Sequence, residues 1–166
     1  MTPGACLRRA AREAPGQEAF VYRGRRITYA EWCDLSEQVA GALLARGLGK
    51  SDRVALVLPP RPEYGIAYVG AAMAGLVTAG VNPRLGNPEV AHILGDSRVA
   101  VTIDRFGGRD FAALIQGLRG ELLDLEAVFL VEDSQVNLPV DASARPAEGG
   151  IEPFRNLLVS PYLDLH

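Results

Sequence analysis

Three arginines stand directly behind short apolar runs: Arg61 in Pro59-Pro60-Arg61 after residues 54–58, Arg84 in Asn82-Pro83-Arg84 after 76–81, and Arg105 in Asp104-Arg105 after 99–103. If those runs are strands of an open parallel sheet, the three guanidiniums gather near its carboxyl rim, where such sheets bind ligands. The chemistry on offer is anion capture. Arg84 is the most interesting member, because a guanidinium beside a proline-stiffened turn is held ready for bidentate contact with a carboxylate or phosphate. A plainer reading stays open, in which prolines and polar residues simply end strands.

Other chemistries find less support. Gly49-Lys50-Ser51 has the ending of a phosphate-binding P-loop, but position 44 holds Leu44 where the motif needs glycine. The segment also falls between a helix and a strand, the reverse of the order that brings backbone amides and a helix N-terminus to a phosphate. No G-x-G-x-x-G follows a predicted strand, and no G-x-S-x-G elbow occurs, so neither a dinucleotide site nor a hydrolase triad has an anchor. His92 has no second ligand at i+4 and His166 ends the sequence, too few donors for zinc; no metal site is expected. Cys33 has no histidine within a turn or two to activate it and reads as a structural thiol.

The elements that position these residues follow from periodicity. A short surface helix is expected over 7–14, ended before Pro15, and a hairpin over 18–22 and 25–27 around Arg23-Gly24. Thr28 and Glu31 form a T-x-x-E capping box for a helix running to about Arg46, with Trp32, Leu35, Val39 and Leu43 as its apolar stripe and Gly47 as its left-handed cap. Continuous apolar runs then follow at 54–58, 76–81, 99–103 and 127–131, separated by predicted helices over 62–74, 88–95 and about 109–119. Runs apolar on both faces and spaced by helices imply a doubly wound α/β fold with a mainly parallel sheet. Asn87, Pro88 and Glu89 read as N-cap, first-turn proline and first-turn acid of the 88–95 helix. Beyond Glu132 the pattern fades into a loop, and 151–159 reads as a last short helix.

With 166 residues, 48% of them hydrophobic, the chain has material for one core, and a net charge of −3 excludes the positive excess that a nucleic-acid or anionic-membrane binder needs. Residues 64–81 carry no charge and reach the length of a membrane span, but Gly65, Gly70, Gly75 and Gly80 punctuate them as a small-residue helix turning into a buried strand. Two cysteines make no disulfide framework and no apolar leader opens the sequence, which gives a cytoplasmic expectation.

The blocks R-I-T-Y-A-E-W from Arg26, G-L-G-K-S-D-R-V-A-L-V-L-P from Gly47, A-A-M-A-G-L-V-T-A-G-V-N-P-R-L from Ala71 and P-E-V-A-H-I-L from Pro88 resemble, in order and spacing, the opening of the adenylate-forming (AMP-dependent) synthetases and ligases, the acyl-CoA synthetase family. The resemblance covers about 28–131. It implies a fold like an incomplete N-terminal subdomain of such an enzyme, with 1–133 as the α/β part and 134–166 as a loop, short helix and truncated tail. It also implies ATP-dependent activation of a small carboxylic acid and thioester formation with CoA, using Mg2+, in the full-length protein. In the family those roles belong to a Ser/Thr/Gly-rich loop ending in P-K, an acidic adenosine motif and a lysine on a mobile C-terminal domain. None of these occurs here, and Lys50 matches a helix-to-strand turn instead. No catalytic residue is therefore carried over, and this chain alone is expected to be inactive and to bind none of these cofactors tightly. The alternative is a non-catalytic α/β module that completes or binds another chain. Either way, uncovered strand edges favour self-association or pairing with the missing remainder.

Overall fold

The computed structural model describes residues 1–132 and 151–158. Its centre is a five-stranded parallel sheet of β3 (Arg53–Val57), β4 (Val77–Gly80), β5 (Val99–Ile103), β8 (Ala127–Val131) and β9 (Ile151–Pro153), in the order β4-β3-β5-β8-β9. From β3 the chain runs out through α3 (Pro62–Met73) to β4, then returns through α4 (Asn87–Gly95) to β5 on the other side of β3. A further helix, α5 (Phe111–Leu118), leads on to β8. The helices α3 and α2 (Tyr29–Ala45) pack together, as do α4 and α5, which divides them between the two faces of the sheet. Connections therefore leave β3 and β5 in opposite directions, and the crevice between their carboxyl ends is the topological switch point.

The central strands are apolar on both faces, as the continuous runs required: Val54–Val57 and all of β5 are buried. Phe111, Phe129 and Phe154 are fully buried in the main core, each worth about 1.5–3 kcal/mol by area removed from water. Helix α2 begins where the Thr28 hydroxyl accepts the Glu31 amide (3.2 Å), and Gly47 closes it at φ +78°. The reciprocal half of the box is not made, because the Glu31 carboxylate is taken by Arg25 of the hairpin β1 (Glu18–Tyr22) and β2 (Arg25–Thr28). Where α2 meets α3 the backbones come very close: a Cβ on Gly70 would lie 2.7 Å from Val39 and 2.8 Å from the Ser36 carbonyl oxygen. Cys33, off the predicted stripe, is buried in a second small cluster with Leu7 of α1 (Pro3–Glu13) and Val69. Burial, then the carboxylates of Glu37 and Asp34, push its thiol pKa up, so it stays protonated and inert.

Three expectations are corrected. The first helix starts at Pro3, not Leu7, because the Thr2 hydroxyl caps it and proline suits the first turn. Asn87 is not the cap of α4; Gly86 is, without a side-chain bond, because the Asn87 carboxamide oxygen is held by Arg109 instead. Over 151–158 there is no α-helix: Ile151–Pro153 adds a parallel strand beside β8, and Phe154–Leu157 form a 3-10 turn whose Phe154 and Leu157 plug the core. Val159 lies outside the described residues, as do 133–150 of the expected loop and the tail from 160 onward.

Candidate anion-binding rim

The carboxyl ends of β3 and β4 enclose a cavity of about 650 Å³. Leu58, Tyr64, Val81, Pro83 and Phe106 give it a largely apolar lining, and Arg84 is the one charged residue in it among the described residues. The position of Arg84 follows from the loop that leaves β4. Asn82 turns the chain, its side-chain oxygen accepting the Arg84 amide (3.0 Å) and its carbonyl accepting the Leu85 amide (3.0 Å), while Pro83 is buried. The Arg84 guanidinium lies over the ring of Phe106, 5.9 Å from its centroid. It makes no ion pair among the described residues, and a stacked guanidinium with no carboxylate beside it keeps its fork available to a bidentate anion.

Phe106 belongs to a feature that periodicity concealed. Residues Arg105–Phe106 (β6) and Arg109–Asp110 (β7) form a miniature antiparallel hairpin on Gly107-Gly108, both at positive φ (+59° and +80°), where a side chain would be strained. The expected helix from about Arg109 therefore begins at Phe111, capped by the Asp110 carboxylate, which accepts the Ala113 amide (2.8 Å).

Of the three rim arginines, the structure brings two to the surface and turns one inward. Arg105 is exposed, pairs with Asp110 at 3.2 Å, and lines a neighbouring hollow that shares Pro59, Pro60 and Phe106 with the main cavity. Arg61 is buried, and its fork meets Glu63 at 2.8 and 3.0 Å with both side chains wholly inaccessible. A third bond runs to the Glu132 carbonyl (3.3 Å). Glu63 sits in the first turn of α3, where the helix dipole favours a carboxylate, and it draws Arg61 away from any ligand.

At the opposite ends of the same strands, Arg98 donates to Asp52 and bidentately to Glu126, and Arg53 pairs with Asp96. The Gly49 amide (2.8 Å) and then Arg98 hold the Asp52 carboxyl below its ordinary value. Lys50 stands in this turn, at the wrong end of the sheet for the cavity. His92 is exposed, and no cluster of three or more His, Cys, Asp or Glu suited to a metal is found among the described residues. No helix among them is long and apolar enough to cross a membrane.

A parallel sheet with helices on both faces and a switch point between β3 and β5 is a doubly wound α/β frame. The model of the AMP-binding enzyme family matches residues 7–153, and the chain belongs to that family. Among curated relatives, the long-chain-fatty-acid–CoA ligase FadD13 of Mycobacterium tuberculosis is 38% identical over 120 residues, 71% of this chain and 23% of that one. A feruloyl-CoA synthase from Amycolatopsis sp. is 34% identical over 134 residues, 80% of this chain and 27% of the relative. Among solved structures, the acetoacetyl-CoA synthetase from Streptomyces lividans superimposes with a TM-score of 0.78 at 25% identity, over 95% of this chain and 25% of that one. The chain thus spans about a quarter of the length of the relatives it matches.

Proposed function

We propose that this chain supplies the leading α/β segment of an ATP-dependent acid–CoA ligase. In that reaction a carboxylate oxygen attacks the α-phosphorus of ATP, pyrophosphate leaves, and the acyl-adenylate then passes its acyl group to the CoA thiol with release of AMP. The observation that carries the reading is the family match over 7–153, joined to relatives named as CoA ligases. ATP, Mg2+ and CoA would be handled by the complete enzyme, in the cytoplasm. The segment from 1 to 133 would act as one α/β part together with Ile151–Leu157, whose strand joins its sheet and whose Phe154 and Leu157 fill its core.

The residues of this rim do not fit a triphosphate. Among the described residues one charged side chain lines the main cavity, whereas phosphoryl chemistry needs a dense set of donors and a metal to disperse the charge. The cavity suits instead a single anionic group on an apolar body, with Arg84 as its principal receptor, Arg105 at the margin and Arg61 as scaffold. Isolated, the chain should neither catalyse nor hold nucleotide tightly, and the outer edge of β4, where Val77 is exposed, favours association with itself or with further ligase sequence.

The direct test is exchange of labelled pyrophosphate into ATP in the presence of aromatic and fatty acids. No exchange by the 166-residue chain, and exchange by a full-length relative carrying its residues 1–132, is the expected pair. Exchange by the chain alone would overturn the assignment of catalysis elsewhere.

A further inference from the structure

Arg109 is a charged side chain whose hydrogen bonds among the described residues all end on neutral oxygens. Its Nη1 donates to the carbonyls of Pro83 (2.9 Å) and Leu85 (2.5 Å), and its Nη2 to the Asn87 side-chain oxygen (2.6 Å). Its guanidinium lies 4.7 Å from the centroid of Phe111, a fully buried ring at the start of α5. No carboxylate pairs with it among the described residues.

All three acceptors sit on one stretch, the loop from β4 into α4, and that loop carries Arg84. Arg84 in turn lies over Phe106, whose backbone pairs with Arg109 across the hairpin. The two walls of the cavity are thus joined twice, once by the stacking of Arg84 and once by the fork of Arg109. The loop's own ties are two short-range bonds from Asn82, which shape the turn but do not fix it to the hairpin. A planar guanidinium can serve three oxygens in fixed directions; a lysine ammonium at the same place keeps the charge and loses the fork. Because it never loses its proton, arginine makes this tie at any physiological pH.

We propose that Arg109 is the positioning residue of the rim: it fixes the 82–87 loop against the β6–β7 hairpin, and so sets the reach of Arg84 across the cavity toward the anionic group of an amphiphilic ligand. This rests on the reading of the rim as an anion site given above. An aromatic carboxylate such as 2-naphthoate is a suitable probe, since it offers one anionic group on a flat apolar body.

Amide hydrogen exchange on the whole chain tests the tie, with Arg109→Lys, Asn87→Ala and Asn87→Asp beside the wild type. The Arg84 and Leu85 amides should exchange at least tenfold faster in Arg109→Lys and several-fold faster in Asn87→Ala, while Asn87→Asp, which keeps the acceptor, stays near wild type. Core amides such as those of Ala55 and Val101 should be unchanged in all four. If Arg109→Lys fails to fold, Asn87→Ala carries the test, because Asn87 is exposed and outside the core. Wild-type exchange at Arg84 and Leu85 in the lysine and alanine variants would overturn the proposal. Titration with 2-naphthoate separates this from the anion reading: Arg84→Gln and Arg109→Lys should both weaken binding several-fold. Faster exchange with undiminished binding in both variants would leave the tie standing and remove the ligand; binding lost in Arg84→Gln alone, with exchange unmoved, would remove the tie and leave the site.

Discussion

The two rims of the sheet use the same residue type for opposite ends. At the amino ends of β3, β5 and β8, Arg98 and Arg53 are each matched by carboxylates, so the charges cancel and the loops are stitched together. At the carboxyl ends, Arg84 and Arg109 have no carboxylate partner among the described residues, and an apolar cavity opens beside them. In a chain of net charge −3, two guanidiniums at one end of the sheet thus stand without a carboxylate pair, one of them tying the loop to the hairpin and the other facing the cavity. Arg61 shows the contrast within the carboxyl rim itself. Two residues of spacing to Glu63 convert a candidate receptor into a buried strut.

The largest effect should come from that strut. Glu63→Ala breaks a fully buried charge pair and should lower stability by about 3–5 kcal/mol, read as a fall in the denaturant midpoint. A change within about 0.5 kcal/mol would mean that Arg61 is not held by Glu63. Gly70→Ala should cost about 1–3 kcal/mol by forcing α2 and α3 apart, with the carboxyl rim left intact as judged by 2-naphthoate binding.

The amino rim has a pH signature. Gly49 and Arg98 depress the Asp52 pKa in the folded chain, so its contribution is present above the ordinary carboxyl value of 3.8 and is lost as pH falls through the lower folded value. Asp52→Asn should therefore flatten the stability profile below about pH 4, and an unchanged acid limb would break the assignment. Arg84→Gln should do the reverse of the Glu63 variant, leaving stability within about 0.5 kcal/mol while weakening 2-naphthoate several-fold. The smallest effect is expected at Arg105, exposed and already paired with Asp110: glutamine there should change 2-naphthoate affinity less than about twofold.

Much of the frame was legible because it is local. Runs such as 99–103 and 127–131 announce buried strands by composition alone, and the structure returns those same bounds. The strand at Ile151–Pro153 was not legible, being three residues with a glutamate and a proline, and it exists because β8 offers a free edge. The β6–β7 hairpin has two residues per strand, too few for any period, although Gly107-Gly108 was a turn signal in plain view. Local rules misplaced Asn87 because a guanidinium 22 residues away outbid the backbone for its side chain. The same distance hid Arg109, whose acceptors lie 22 to 26 residues upstream, and spacing cannot reveal a contact that only the fold creates.

The division of labour between the rims is tested most directly by mapping amide chemical shifts while 2-naphthoate, and separately AMP, is titrated into the chain. The account predicts that naphthoate perturbs Leu58, Val81, Arg84, Leu85 and Phe106 in a saturable manner, with AMP acting weakly on the same amides and neither moving Asp52, Arg98 or Glu126. Saturable shifts centred on the Asp52–Arg98–Glu126 network, with the carboxyl rim silent, would contradict it.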